Sequence, residues 1–322
     1  MDYDDIKQTI SICIATYNGE KYLTEQLDSL ANQTIQPYEV ILQDDCSSDN
    51  TVKIAKTYQD RLNLKIFVNE INLGFTKNFE SVLSKATGDF IAPCDQDDIW
   101  ESDKLELLLT NIGNSSLIYS NSLLVDQDGQ SLNMTLSEKL GNQFINSDSA
   151  LNFLYANCIS AHAMLFRKDL LKYIFPFPQY SYFDAWIGAI AASAHGVKYI
   201  NKNLVLYRQH NTNVLANKKK TKQSLLEKVI LKKEKKMISN KNMISLVEEF
   251  LRISVLSKKE QELLENLSQQ LEEFEVRWFN FRFFFFFVKY KDVFFPITTK
   301  NKLVLSIKKS IGYKLYKVAP FL

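Results

Sequence analysis

Three carboxylates fall within four residues in Asp95-Gln96-Asp97-Asp98, directly after the apolar run Asp89-Phe90-Ile91-Ala92-Pro93-Cys94. Anions this close repel one another, and a neighbouring cation relieves the repulsion. Carboxylate oxygens are hard ligands that suit Mg²⁺ or Mn²⁺, commonly beside a substrate phosphate. A solvated acidic turn capping the next helix is the plainer reading of the same residues. Two further polar segments share this setting. Ala15-Thr16-Tyr17-Asn18 ends one apolar run, and Asp44-Asp45-Cys46-Ser47 ends another.

The elements that carry these segments are legible from periodicity. Residues 9–15, 39–43, 64–68 and 89–94 read as strands, rich in β-branched and apolar residues. Between them, Leu23, Leu27 and Leu30, then Val52, Ala55 and Tyr58, then Phe79, Val82 and Leu83 recur at helical spacing. Strand and helix in alternation predict a parallel α/β sheet. Ligands of open α/β sheets gather beyond the carboxyl ends of the strands, where all three polar segments fall. No GxGxxG follows the first strand and no GxxxxGK[ST] occurs, which disfavours a dinucleotide-binding or P-loop enzyme. Farther on, residues 116–120, 163–166, 198–200 and 204–207 read as strands and 184–194 as a helix.

The net charge of +2 hides an asymmetry. Residues 1–216 carry 16 Lys and Arg against 26 Asp and Glu, a balance of −10; residues 217–322 carry 23 against 11, a balance of +12. The expected organisation is an acidic globular part (1–216) and a basic helical extension (217–322). Cys13, Cys46, Cys94 and Cys158 form no CxxC pair, so a thiolate metal site or disulfide framework is disfavoured. The acidic start lacks a signal-peptide core, and no stretch reaches the roughly 18 apolar residues of a membrane span. A cytoplasmic location is expected. Lys218-Lys219-Lys220 opens the extension, and Ser257-Lys258-Lys259-Glu260 reads as a capping box. Leu263, Leu264, Leu267, Leu271 and Phe274 then form a helical stripe. Residues 278–288 are aromatic-rich. Val304, Ile307, Ile311, Leu315 and Val318 share a helical face opposite Lys302, Lys309 and Lys317, which suggests attachment to a membrane surface. The Phe run has no clean polar face, and burial against the acidic part or in a homo-oligomer explains it equally well.

Four motifs in order, Ser11-Ile12-Cys13-Ile14-Ala15-Thr16-Tyr17-Asn18-Gly19, Gln43-Asp44-Asp45-Cys46-Ser47-Ser48-Asp49, Asn72-Leu73-Gly74 and Asp95-Gln96-Asp97-Asp98-Ile99-Trp100, resemble the family 2 glycosyltransferases. The resemblance covers residues 9–215. It implies a GT-A fold (Rossmann-like, a mostly parallel sheet flanked by helices) ahead of the helical extension. It also implies transfer of a sugar from a nucleotide-diphosphate donor with inversion at the anomeric carbon. Asp95-Gln96-Asp97-Asp98-Ile99-Trp100, Phe183-Asp184-Ala185-Trp186 and Leu206-Tyr207-Arg208-Gln209-His210-Asn211 further resemble the rhamnosyltransferase branch. That branch implies a dTDP-L-rhamnose donor and a growing, lipid-linked bacterial surface polysaccharide as acceptor. Asp184-Ala185-Trp186 and Ser160-Ala161-His162 depart from the commoner patterns, both toward the acceptor side.

Carried over residue by residue, the resemblance gives Ala15, Tyr17, Asn18, Asp45, Gly74, Lys77, Asp95 and Gln96 to the donor. Tyr17 offers a stacking face and Asp45 an acceptor for a pyrimidine imino group. Gly74 allows close backbone approach, and Lys77 meets a phosphate. Asp97 and His210 are the expected ligands of Mn²⁺ or Mg²⁺. Asp98, Trp100 and Trp186 are placed on the acceptor side. Asp184 is the expected base, with Phe183 and Trp186 as apolar walls that raise its pKa. The bland counterparts are a core tyrosine, a turn aspartate, surface lysine and histidine, core tryptophans, and an aspartate favoured by a helix dipole. Three rival functions are a UDP-hexose or UDP-N-acetylhexosamine transferase of the same fold, a nucleotidyltransferase, and a non-catalytic glycan-binding scaffold. No nucleic-acid partner is expected, because the acidic part opposes a polyanion.

Overall fold

The computed structural model describes residues 8–179, 182–210, 239, 241–273 and 279–310. Among these residues nine strands form one sheet: β1 (Ile10–Thr16), β2 (Glu39–Asp44), β3 (Leu64–Val68), β4 (Phe90–Cys94), β5 (Ile99–Trp100), β6 (Leu117–Val125), β7 (Ser131–Thr135), β8 (Met164–Arg167) and β9 (Val197–Arg208). Their order is β3-β2-β1-β4-β8-β6-β9-β5, with β7 paired to β6. The expected parallel βαβ half is present, since β3, β2, β1 and β4 all pair in parallel. Beyond β4 the sheet becomes mixed. β8 runs antiparallel to β4 and β6, whereas β6 and β9 are parallel. The two short strands expected at 198–200 and 204–207 are one strand, bulged where it passes β6.

The alternation in the first strands sorts side chains onto two faces. Ile10, Ile12 and Ile14, Val40 and Leu42, and Phe90 and Ala92 pack with Leu23, Leu27 and Leu105 on one side. Cys13, Ile41 and Ile91 join the larger core on the other, with Phe79, Val82 and the helix Phe183–His195. Helices on both faces leave the strand ends as the open edge where polar side chains can gather.

The larger core does not stop at the composition boundary near residue 216. Val247, Phe250, Leu264, Leu267, Phe283, Phe287 and Phe294 belong to the same buried cluster. The capping box at Ser257–Glu260 forms as expected at the start of the helix Lys258–Glu272. Its Glu260 reaches further, accepting hydrogen bonds from Ala150 N (2.9 Å), Ser149 Oγ (2.9 Å) and Ser193 Oγ (2.6 Å). Burial alone would raise the pKa of this carboxyl. The hydrogen bonds from Ser193, Ser257 and Ser149 outweigh it and hold the carboxyl below the usual range. The Phe run is split: Phe283, Phe286 and Phe287 are buried, while Phe281 and Phe285 are exposed. Part of the run is therefore packed against the strand-bearing part. Lys218-Lys219-Lys220, Phe274, Trp278, Ile311, Leu315, Lys317, Val318 and Asn211 lie outside the described residues. Among the described residues no helix is long and apolar enough to cross a membrane.

Candidate active site at the carboxyl ends of the strands

The acidic loop leaves β4 at the middle of the sheet and is clamped from beneath. Asp98 is fully buried, and its Oδ1 accepts the backbone N–H of Arg208 at 3.0 Å. The buried Arg208 guanidinium donates to the Asp97 carbonyl (3.0 Å), the Gln127 carbonyl (3.0 Å) and Glu25 (2.5 Å). Asp98 Oδ2 has no hydrogen-bond partner among the described residues. His162 Nδ1 lies 3.8 Å from that oxygen and 3.6 Å from Asp95 Oδ2. Burial, with Asp97 and Asp95 adding repulsion, pushes the Asp98 pKa well up.

His162 itself is buried, hydrogen-bonded through Nε2 to Ser122 Oγ (2.9 Å) and stacked on Tyr207 at 4.5 Å between ring centroids. Lys104, also fully buried, donates to the His162 carbonyl and sits 3.0 Å from the Trp100 ring centroid. Burial drives the Lys104 pKa well down. Burial, with added repulsion from the carboxylates of Asp95, Asp98, Asp97 and Asp184, raises the pKa of the Tyr207 hydroxyl. Asp97 points to the other side of the loop, its Oδ2 2.8 Å from His210 Nε2.

The first two strand ends form an adjoining polar shelf. The Gln96 amide accepts from Tyr17 N (2.9 Å) and donates to Tyr17 O (3.1 Å), so it braces the backbone beneath an exposed phenol ring. A Cβ at Gly19 would run into that amide and displace it from the Tyr17 backbone. Asn18 adopts φ 47° and accepts from Ser48 N at 2.9 Å, tying the two shelves together. Asp45 is nearly buried; Leu73 N (2.7 Å) and Asn69 Nδ2 (2.8 Å) donate to its Oδ1, and Gly74 N (2.8 Å) to its Oδ2. A carboxylate has about four acceptor positions, so roughly one stays open for a ligand. The larger visible effect of Asp45 is to fix the 72–74 turn. Gly74, at φ 82°, then starts the helix Phe75–Leu83. Ala15 packs partly buried below this shelf.

Asp184 occupies the first turn of the helix Phe183–His195. Its Oδ1 accepts from Ala185 N (2.6 Å) and Asn157 Nδ2 (3.2 Å), and one edge stays partly exposed. Desolvation against the protein, with a contribution from Asp95, pushes its pKa up to about 7. Phe183, next to it, is buried and stacked with Phe79 at 4.6 Å between ring centroids.

The model of Glycosyl transferase family 2 matches residues 11–175, just over half the chain. The chain belongs to glycosyl transferase family 2. Staphylococcus aureus TarS, a poly(ribitol-phosphate) beta-N-acetylglucosaminyltransferase, is 40% identical over 99 residues, which is 30% of this chain and 17% of that protein. Escherichia coli WfgD, a UDP-Glc:alpha-D-GlcNAc-diphosphoundecaprenol beta-1,3-glucosyltransferase, is 27% identical over 214 residues, 65% of this chain and 80% of WfgD. In fold, a TarS crystal structure in complex with UDP-GlcNAc superposes with TM-score 0.58 at 20% identity, covering 88% of this chain and 81% of that one. The fold is thus GT-A with a C-terminal helical region.

Among the described residues two donor sets suit a hard or borderline cation. Asp97 and His210, the pair expected from the sequence, are one. Asp95, Asp98 and His162 are the other, with ligand atoms within 4.8 Å of one another. The unpartnered Asp98 Oδ2 fits such an ion, because a buried carboxylate oxygen without a donor is costly. His162, Tyr207, Lys104 and Arg208 escaped the sequence reading as site residues. The departure at Ser160-Ala161-His162 was the only signal for the first.

Two expectations are corrected. Trp186 does not offer a sugar platform, because it is buried, donates through Nε1 to the Ile174 carbonyl (2.9 Å) and packs on Phe250 at 4.6 Å. Trp100 is likewise buried, under Lys104. An indole gains much from burial, and both rings are packed in the core. Lys77 is on the helix surface, paired with Glu80 at 3.0 Å.

Proposed function

We propose that this chain is an inverting, divalent-cation-dependent glycosyltransferase. It takes a sugar from a nucleotide-diphosphate donor and adds it to a growing, lipid-linked bacterial surface polysaccharide. The observation that carries the reading is Asp184: a carboxyl partly open to solvent, with pKa raised to about 7, near Asp95 at the mouth of the acidic loop. A base of that strength is half-ionised near neutral pH, where a general base is most effective.

Tyr17, Asn18 and the remaining acceptor position of Asp45 take the nucleoside. Asp95 meets the ribose and Gln96 keeps Tyr17 in place. The N-terminus of the helix Phe75–Leu83, with Gly74 and Lys77, faces the phosphates. Asp97 and His210, or Asp95, Asp98 and His162, would hold Mn²⁺ or Mg²⁺, which would supply positive charge to offset that on the departing diphosphate. Asp184 accepts the proton of the acceptor hydroxyl as that oxygen bonds to the anomeric carbon. The bond from that carbon to the diphosphate oxygen breaks, and its electron pair leaves with the diphosphate. Attack opposite the leaving group inverts the centre.

The activities named for TarS and WfgD favour UDP-N-acetylglucosamine or UDP-glucose as donor class. dTDP-L-rhamnose is the alternative that the three branch-like motifs support. The lipid-linked acceptor in the WfgD name supports work at the cytoplasmic face of the membrane. Calorimetry with UDP-glucose, UDP-galactose, UDP-N-acetylglucosamine and dTDP-L-rhamnose, each with and without Mn²⁺, tests the reading. Mn²⁺-dependent binding of one of them is expected. Binding of none would favour a scaffold.

A further inference from the structure

The helix Lys302–Ser310 is amphipathic in an unusual sense: its apolar stripe faces outward. Leu303, Val304 and Ile307 are 48%, 45% and 40% exposed. Its small residues Ser306 and Ser310 are fully buried instead, and Lys309 turns inward over Tyr155 at 4.3 Å from the ring centroid. Serine at the packed positions lets this helix lie close against the helix Phe281–Lys289. Asn280 N donates to Ser310 O at 2.9 Å where the two meet. The partner helix repeats the pattern. Phe283 and Phe287 are buried, while Phe281 and Phe285, one turn apart, are 66% and 64% exposed. Five large apolar side chains thus stand in solvent on one packed helix pair. Folding alone does not account for them, because their burial is forgone.

The charge around them chooses the occupant. Residues 279–310 hold seven Lys and Arg against one acidic residue, Asp292, and Asp292 is already paired with Lys302 at 2.7 Å. Arg282, Lys289, Lys300 and Lys308 are exposed beside the apolar residues. We infer that this helix pair docks on an anionic phospholipid surface, with Phe281, Phe285, Leu303, Val304 and Ile307 entering the headgroup–acyl boundary and the cations meeting the headgroups. The −10 balance of residues 1–216 favours an orientation with the acidic part away from the lipid. Nucleic acid would use the cations but not the exposed aliphatic side chains. A second copy of the chain would have to bring two such basic faces together.

The inference stands apart from the donor reading, because its test reads binding and not activity. The full chain is floated with vesicles of phosphatidylcholine alone and with half phosphatidylglycerol. Flotation is expected only with the anionic vesicles and falls as salt rises. Phe281→Asp with Phe285→Asp, and separately Lys300→Glu with Lys308→Glu, should each lower the partition coefficient at least about tenfold. All four residues are exposed, so the circular dichroism spectrum should not change. Absence of flotation on anionic vesicles overturns the inference. So does equal flotation by both variants, or a concentration-dependent dimer that Phe281→Asp with Phe285→Asp dissolves. That last result would give the face to a second copy.

Discussion

His210 Nε2 lies 2.8 Å from Asp97 Oδ2, although 113 residues separate them in the chain. The contact closes the acidic loop after β4 against the end of β9, and Tyr22 packs against the His210 ring at 5.1 Å. A pair held this way needs little rearrangement to share a cation. Asp97→Asn and His210→Ala should each weaken Mn²⁺-dependent donor binding at least about tenfold, or about 1.4 kcal/mol. Chelation should bring the wild type to the same level. Calorimetry with EDTA checks this, and donor affinity indifferent to both chelation and Asp97→Asn would remove the cation from the account.

Asp184→Asn keeps the shape of the side chain and loses its basicity. Turnover should fall by about 10²–10⁴ while the donor dissociation constant stays within about twofold. In the wild type, kcat/KM should climb with pH through about 7, since the reactive form is the carboxylate. A wild-type profile flat from pH 5.5 to 8, or a variant with near-normal turnover, would show that another group takes the proton.

How much of this was legible follows from the range of each interaction. The alternating runs of β1, β2 and β4 depend on neighbours two residues apart, and these strands were placed closely. The acidic loop was legible because local crowding of like charge is visible in one line of sequence. His162, Tyr207 and Arg208 were not, because their roles arise from contacts across 40 to 183 residues. Trp100 and Trp186 misled for a related reason. An aromatic beside a polar motif looks the same in sequence whether it faces a ligand or the core, and only the packing of Lys104 and Phe250 on them decides. The parallel half of the sheet was legible from its crossover helices. Its mixed half was not, since β8 pairs with strands far away in sequence.

The raised pKa of Asp184 also has a stability consequence. Its folded-state value, about 7, exceeds the ordinary 3.8, so the folded state binds more protons between those values. Stability from this group is therefore lost as pH rises across that window and stays lost above it. Asp184→Asn should raise the stability at pH 8 by about 1–3 kcal/mol, and the gain should vanish near pH 4. Denaturant titrations at the two pH values measure it; a variant less stable than wild type at pH 8 would contradict the burial argument.

Glu260 stitches the C-terminal helices to Ala150, Ser149 and Ser193. Glu260→Ala leaves the Ser149 and Ser193 hydroxyls without this acceptor and removes the capping box. A loss of about 2–4 kcal/mol is expected, with one cooperative thermal transition retained because the core is shared. Two separated transitions in calorimetry would instead indicate independent units.

The central claim is inversion at the anomeric carbon with Asp184 as base. The most direct measurement follows, by proton NMR, the sugar first released when the enzyme slowly hydrolyses its nucleotide-sugar donor with water in place of the acceptor. The account predicts an initial product of anomeric configuration opposite to the donor, absent in Asp184→Asn. A first product with the donor's own configuration, or the same release rate in the variant, would contradict it.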